Sequence, residues 1–141
     1  MDSKKKSYTI KVNMVITGFE CSPEHITNLI GVNPTKVWKR GEIVHPKAKN
    51  IHKESGWLLS SQCDAVNSSI DEQISTLSNV ITPILGNFHK LPEGLEIELS
   101  CIINAYEYMP PICFSTDSVA FASKLGASID VDIYDLIEDE G

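Results

Sequence analysis

Three stretches of the chain alternate apolar and polar residues, as a β-strand with one buried face does. Their apolar positions are Tyr8, Ile10, Val12, Met14 and Ile16, then Leu95, Ile97, Leu99, Cys101 and Ile103, and finally Ile129, Val131 and Ile133. Alternation of this kind is typical of an antiparallel or mixed sheet that is covered on one face only. The pattern therefore predicts three strands that share a sheet.

Other segments show the apolar spacing of helices, and each begins with a serine suited to capping. The predicted caps are Ser22, Ser68 or Ser69, and Ser115. Gly31 is placed to end the first short helix in a left-handed cap, and Gly126 is placed to end the last short helix. The third helix is long, and Pro83 should kink it or end its regular part because proline has no backbone N–H.

Shorter extended pieces are expected at Val37 and Trp38, from Trp57 to Leu59, and at Ile112-Cys113-Phe114. Together the elements predict one α+β domain over residues 1–141. We expect a two-layer sandwich in which two short helices and one long helix cover one face of an antiparallel or mixed sheet. We further expect residues 1–7 and 137–141 to be frayed and residues 42–54 to form a mobile basic loop.

Composition and charge narrow the class of protein. The 141 residues are 42% hydrophobic and 22% charged, as in a soluble globular protein, and their formal net charge is −7. This acidic balance argues against a broad nucleic-acid-binding face. No apolar run approaches the roughly 20 residues of a membrane span, and the N-terminus lacks the uninterrupted apolar core of an export signal. We expect a cytoplasmic protein that makes no membrane contact.

The residues that usually carry catalysis form no recognisable motif. The four cysteines, Cys21, Cys63, Cys101 and Cys113, are far apart, and no histidine accompanies them at metal-ligand spacing. The four histidines suggest no nucleophilic arrangement, and the glycines form no phosphate-binding loop. We therefore expect no enzymatic activity, no metal and no cofactor.

A cluster of carboxylates is predicted on the polar face of the sheet. If the strands are neighbours, Glu96, Glu98, Asp130 and Asp132 line up with Lys11, Thr9 and Asn13. Clustered carboxylates can bind a hard cation or act as an acid–base pair. The favoured interpretation is a solvated face, because an exposed sheet face requires alternating polar residues.

The strongest departure from the average composition lies between residues 36 and 57. This segment holds half of the twelve Lys and Arg residues, both Trp residues and two of the four His residues. Its cations could bind a phosphate, a carboxylate or an acidic partner, and its indoles could add contact area or pin a loop to the sheet. The candidate binding residues are Lys39, Arg40, Lys47, Lys49, Lys53, Trp38 and Trp57.

Several of these residues also carry a family resemblance. The order Pro34-Thr35-x-x-Trp38-Lys39-x-Gly41 followed by Ser55-Gly56-Trp57, with the preceding Ser22-Pro23-Glu24, resembles a domain-of-unknown-function family of small, mostly bacterial single-domain proteins. The resemblance implies a bacterial or phage-encoded cytosolic protein. It implies no activity, cofactor or catalytic residue.

Two functions are compatible with these observations. The preferred one is a non-enzymatic binding module that recognises a protein partner, such as a bacterial or phage immunity or defence factor. The alternative is a small-molecule or nucleotide-binding protein, or a weak hydrolase, with a pocket between the basic loop and the sheet. The sequence leaves the oligomeric state open.

Overall fold

The computed structural model describes residues 6–47 and 50–138. The strands are β1 (Tyr8–Thr17), β2 (Lys36–Trp38), β3 (Gly56–Ser60), β4 (Glu96–Ala105) and β5 (Ser128–Asp135). The helices are α1 (Pro23–Ile30), α2 (Ile70–Ile81), which continues into a 3₁₀ segment (Thr82–Lys90), and α3 (Thr116–Leu125). The helices and the three alternating strands match those that the sequence pattern predicts.

The five strands form one mixed sheet in the order β2-β3-β1-β4-β5. Neighbouring strands are antiparallel except β4 and β5, which are parallel and are connected through α3. A parallel pair needs such a crossover, because its strands enter the sheet from the same end. The expected α+β fold with a mixed sheet is confirmed.

All three helices cover the same face of the sheet, which we call the inner face. Ile26 of α1, Ile74 of α2 and Phe121 of α3 belong to one hydrophobic core cluster with the buried strand residues. Those strand residues are Ile10, Val12, Met14, Ile16, Trp57, Leu59, Leu99, Cys101 and Ile103. The opposite face, which we call the outer face, carries the alternate residues of each strand. These residues are not part of the core cluster that the helices cover.

The helix boundaries follow the predicted capping chemistry. Ser69 caps α2 in a capping box with Glu72, whose side chain accepts a hydrogen bond from the Ser69 backbone. Regular α-helix ends at Ile81, just before Pro83, and the chain continues as a 3₁₀ segment. The predicted effect of Pro83 is confirmed, since proline cannot donate the next backbone hydrogen bond of an α-helix.

The expected strand at Ile112-Cys113-Phe114 is wrong, because residues 111–115 have no regular secondary structure. Both edges of β4 are already paired, one with β1 and the other with β5. Pro110 and Pro111, directly before the segment, lack the N–H groups that a sheet ladder would use. The segment therefore runs as an irregular lead into α3.

The expected frayed ends fall largely on residues outside the described part of the chain, 1–5 and 139–141, so fraying stays a prediction. Ser7, at the inner limit of the first segment, accepts backbone hydrogen bonds at 2.9 Å from both Tyr106 and Glu107. Among the described helices, none has the length and apolar character needed to cross a lipid bilayer.

Candidate functional site

Residues 39–55, which we call the basic arm, connect β2 to β3, and their described part (39–47 and 50–55) leaves the sheet as a two-stranded ribbon. The N–H of Gly41 donates to the carbonyl of His52 at 2.9 Å, and the N–H of His52 donates to Glu42 at 2.8 Å. Farther out, Ile43 and Ile51 form an antiparallel bridge. The segment expected to be a mobile loop thus has backbone pairing along its stem, while its mobility stays a prediction.

An aromatic stack anchors the arm to the sheet. The rings of Trp38 and His52 are stacked, with centroids 5.3 Å apart and planes at 25°. Trp38 lies opposite Gly56 in the β2–β3 ladder. Its indole occupies the space above this glycine, since a Cβ atom added to Gly56 would lie 2.0 Å from the ring. Trp38 therefore links the returning side of the arm to the sheet.

Polar contacts close the base of the arm. The backbone N–H of Lys39 donates to the Glu42 carboxylate at 2.8 Å, and that of Arg40 donates to the Ser55 hydroxyl at 3.1 Å. The ammonium group of Lys39 lies 3.9 Å from the carboxylate of Glu24, and both side chains are exposed. An exposed ion pair of this kind adds little stability, so the Lys39 side chain remains available to a partner.

Trp57 lies on the inner face, opposite to Trp38. Its side chain is 0% exposed, and its indole N–H donates to the Thr27 hydroxyl of α1 at 2.9 Å. Successive residues of a strand point to opposite faces of the sheet. Trp57 therefore faces one side, whereas Gly56 and its ladder partner Trp38 face the other. Because its side chain is fully buried, Trp57 serves as part of the framework of the sheet and does not contact a partner.

The outer surface of the arm combines cations with exposed apolar side chains. The candidate residues Lys39, Arg40, Lys47 and Lys53 are all exposed, whereas Lys49 lies outside the described residues. Beside them, Ile43 is 63%, Val44 48% and Ile51 56% exposed. Sequence reasoning missed these apolar residues, although three branched residues in an otherwise polar segment were the available signal.

The predicted carboxylate cluster lies on the outer face, as expected. Glu98 pairs with Ser128 across the β4–β5 ladder, between the levels of Glu96 and Asp130. Burial, together with the charges of Asp130, Asp132 and Glu96, raises the pKa of Glu98. This side of the outer face therefore carries a concentrated negative charge.

The polar residues of β1 on the same face have partners of their own. The Lys11 ammonium donates to the Ser61 carbonyl at 3.1 Å, toward β3 and away from the carboxylates of β5. Asn13 accepts a hydrogen bond from the Ser60 hydroxyl at 2.7 Å. Within residues 6–47 and 50–138, no group of three or more His, Cys, Asp or Glu residues is arranged to hold a metal ion.

A cleft of about 450 Å³ separates α2 from α3. Hydroxyl groups line much of it, from Ser75, Ser78, Thr82, Ser115 and Ser118. At one end Asp71 accepts hydrogen bonds from the Ser115 N–H at 3.0 Å and from the Ser118 hydroxyl at 2.6 Å. These bonds lower the pKa of Asp71, because they favour the charged form of the carboxyl. Asp71 therefore ties the start of α3 to α2.

The chain belongs to a family described as a domain of unknown function (DUF4279), whose family model matches residues 7–136. This confirms the expected membership in a domain-of-unknown-function family. No curated protein shows significant similarity to the chain, and no protein of known structure does. The family match adds no activity to the geometry described above.

Proposed function

We propose that this protein is a non-enzymatic binding module that docks onto an acidic surface of a protein partner through the basic arm. One observation carries the proposal. The anchored ribbon carries exposed cations and an exposed pair of branched apolar side chains, Ile43 and Ile51, which are 63% and 56% exposed. That combination has no role in the core of this domain.

The apolar side chains favour a protein partner over a small anion. Protein interfaces combine an apolar centre with a polar, solvent-accessible rim. In the arm, the paired Ile43 and Ile51 supply the apolar centre, and the cations Lys39, Arg40, Lys47 and Lys53 flank it in the sequence. Ile43 and Ile51 lie directly opposite each other in the ribbon, and neighbouring exposed apolar side chains are a feature of interaction sites.

The charge of the arm favours an acidic partner. Five Lys and Arg residues and two Glu residues give residues 39–55 a net charge of +3. Because the whole chain has a net charge of −7, the remaining residues carry a net charge of −10. A positive patch attracts an acidic surface over long range and raises the association rate, while the acidic remainder repels it and so fixes the orientation of approach.

The cellular setting is part of the proposal. The resemblance stated above favours a bacterial or phage-encoded protein that acts in the cytoplasm. A small acidic domain with a docking arm suits an immunity or defence factor, whose task is to bind and block another protein.

Affinity capture from cells of the source organism tests the proposal, with three baits compared by quantitative mass spectrometry. The first bait is the unchanged protein. The second has the arm cations Lys39, Arg40, Lys47, Lys49 and Lys53 replaced by Gln. The third has the same loss of charge elsewhere, at Lys4, Lys5, Lys6, Lys90 and Lys124. We expect the partner on the first and third baits and its loss from the second.

The comparison separates the arm from overall charge, because the second and third baits have lost the same number of cations and carry the same net charge. Equal capture by all three baits would contradict the proposal. Equal loss from both substituted baits would also contradict it, because net charge rather than the arm would then govern binding. The replaced arm residues that the structure describes are exposed, so we expect their substitution to change the free energy of unfolding by less than about 0.5 kcal/mol.

A second candidate is a small-molecule-binding protein, and the cleft between α2 and α3 favours it. Its volume of about 450 Å³ falls in the range of ligand pockets. This cleft differs from the pocket first expected between the basic loop and the sheet. A thermal-shift screen with nucleotides, sugars and metal ions tests it, since a ligand that binds only the folded state raises the melting temperature. A shift that Ser75→Phe abolishes would favour this function.

A further inference from the structure

Strand β5 forms one edge of the sheet, and its side away from β4 pairs with no element in the described part of the chain. It spans eight residues, Ser128–Asp135, of which seven are exposed. It contains no proline, lysine or arginine. Edge strands are usually shortened, bulged or given such residues, because an open edge pairs readily with another strand.

The hydrogen-bond pattern shows which backbone groups face the open edge. The N–H of Leu136 donates to the Ala105 carbonyl at 2.8 Å, so the residues of even number direct their backbone groups toward β4. The alternate residues Ile129, Val131, Ile133 and Asp135 therefore direct theirs toward the open edge. A new strand would find a regular row of donors and acceptors there.

The two faces of β5 differ in character. On the inner face Ile129 is 38% and Ile133 46% exposed. Val131, which lies between them in the strand, packs against the hydrophobic core. On the outer face Asp130 and Asp132 are exposed beside Glu98 of β4. A strand that added to this edge would place alternate side chains against an apolar row and against carboxylates.

We propose that the β5 edge binds an extended segment of a partner protein, in which Lys or Arg alternates with apolar residues, as a sixth strand of the sheet. Backbone hydrogen bonds supply the affinity in this mode of recognition, and the alternating side chains supply the specificity. The basic side chains lie over Asp130, Asp132 and Glu98, while the apolar ones pack beside Ile129 and Ile133. This surface is distinct from the basic arm, which lies at the β2 edge.

The same charges disfavour pairing between two copies of β5. The backbone N–H and C=O groups at the open edge belong to odd-numbered residues. Two antiparallel copies of β5 would therefore place odd-numbered residues opposite one another. The two central registers then place Asp130 opposite Asp132, or Asp132 opposite itself. Like charges directly opposite each other destabilise a strand pair, so the edge selects a basic strand over its own copy.

A synthetic heptapeptide that alternates Lys and Val tests the proposal. Alternate N-methyl groups block one edge of the peptide and keep it from pairing with itself. We expect it to bind the intact protein in a fluorescence anisotropy titration. The same peptide with Glu in place of Lys should bind at least about tenfold more weakly. Salt should weaken the binding of the Lys peptide, since its contacts with Asp130 and Asp132 are exposed to solvent.

Two matched comparisons separate strand addition from simple charge attraction. Ile133→Pro removes an N–H on the open edge and no β4 bond, whereas Ile133→Val keeps that N–H. We expect binding to fall about tenfold with Pro and to change little with Val. On the peptide side, N-methylation of both edges should abolish binding, which tests the mechanism even if the proline variant does not fold.

Equal binding of the singly and doubly N-methylated peptides would overturn the proposal, because the backbone would then not be involved. Self-association of the unchanged protein that Ile133→Pro abolishes would also overturn it, because the occupant would then be a second copy. Failure of the Lys peptide to bind at all would overturn it as well. None of these outcomes bears on the basic arm, which the capture experiment tests separately.

Discussion

The indole of Trp38 lies directly over Gly56, its partner across the β2–β3 ladder. The absence of a side chain at Gly56 gives the ring its place, and the ring in turn stacks on His52 of the basic arm. The position of the arm on the sheet therefore depends on one glycine.

Gly56→Ala should destabilise the protein by about 1–3 kcal/mol, as overpacking does, because a Cβ atom there would lie 2.0 Å from the Trp38 ring. A double-mutant cycle followed by urea unfolding checks the cause. In a Trp38→Ala background the same change at Gly56 should cost little, since the obstructing ring is gone. An equal cost in both backgrounds would show that the contact with Trp38 is not the reason.

Thr27→Val should destabilise the fold by about 1–3 kcal/mol. It removes the hydroxyl that accepts the Trp57 indole N–H at 2.9 Å and leaves a donor unpaired on a fully buried side chain. Thr27→Ser is the control, because it keeps the hydroxyl. Chemical denaturation of both variants measures the difference. If Val costs no more than Ser, the hydrogen bond from the Trp57 indole makes no measurable contribution to stability.

Asp71→Asn should lower the free energy of unfolding near neutral pH but not in acid. The folded-state pKa of Asp71 lies below its ordinary value of 3.8, because the carboxylate accepts hydrogen bonds from Ser115 and Ser118. A depressed pKa contributes stability that is present above the unfolded pKa and is lost as the pH falls through the folded one.

Urea unfolding of the unchanged protein and the Asn variant from about pH 6 to about pH 2 measures this difference. The two free energies should converge as the pH falls below 3.8, because the protonated carboxyl then resembles the amide. A constant difference across the range would mean that the charge of Asp71 makes no contribution to stability.

The cysteines should differ in their reaction with iodoacetamide. Burial and the nearby charge of Asp130 raise the pKa of the Cys101 thiol to about 11, whereas Cys113 is exposed. Because the thiolate is the reactive form, Cys113 should be alkylated in the folded protein and Cys101 only after unfolding. Peptide mapping by mass spectrometry reads out each site. Early alkylation of Cys101 would contradict its buried position.

Much of the fold could be predicted because local rules and tertiary packing agree. Ser22, Ser69 and Ser115 begin helices by capping chemistry that acts within one turn, and Pro83 ends regular helix for an equally local reason. The alternation in β1 also predicts its buried face, because β1 lies in the centre of the sheet. The Ile112–Phe114 segment has the composition of a strand, but it follows Pro110 and Pro111 and leads directly into the Ser115 cap of α3.

The candidate sites depended on relations that a sequence does not display. Trp38 and Trp57 look equivalent as the two ends of a basic segment, yet strand register sends them to opposite faces. Ile129 and Ile133 alternate like core residues, but they remain exposed because β5 lies at the edge. Strand order decides such cases, and it results from contacts between residues far apart along the chain.

Hydrogen–deuterium exchange on the complex with the captured partner tests the docking role of the basic arm most directly. Partner binding should slow exchange at the amides of residues 41–53, with little change in the cleft between α2 and α3. Slower exchange elsewhere, with the arm exchanging as fast as in the free protein, would contradict it.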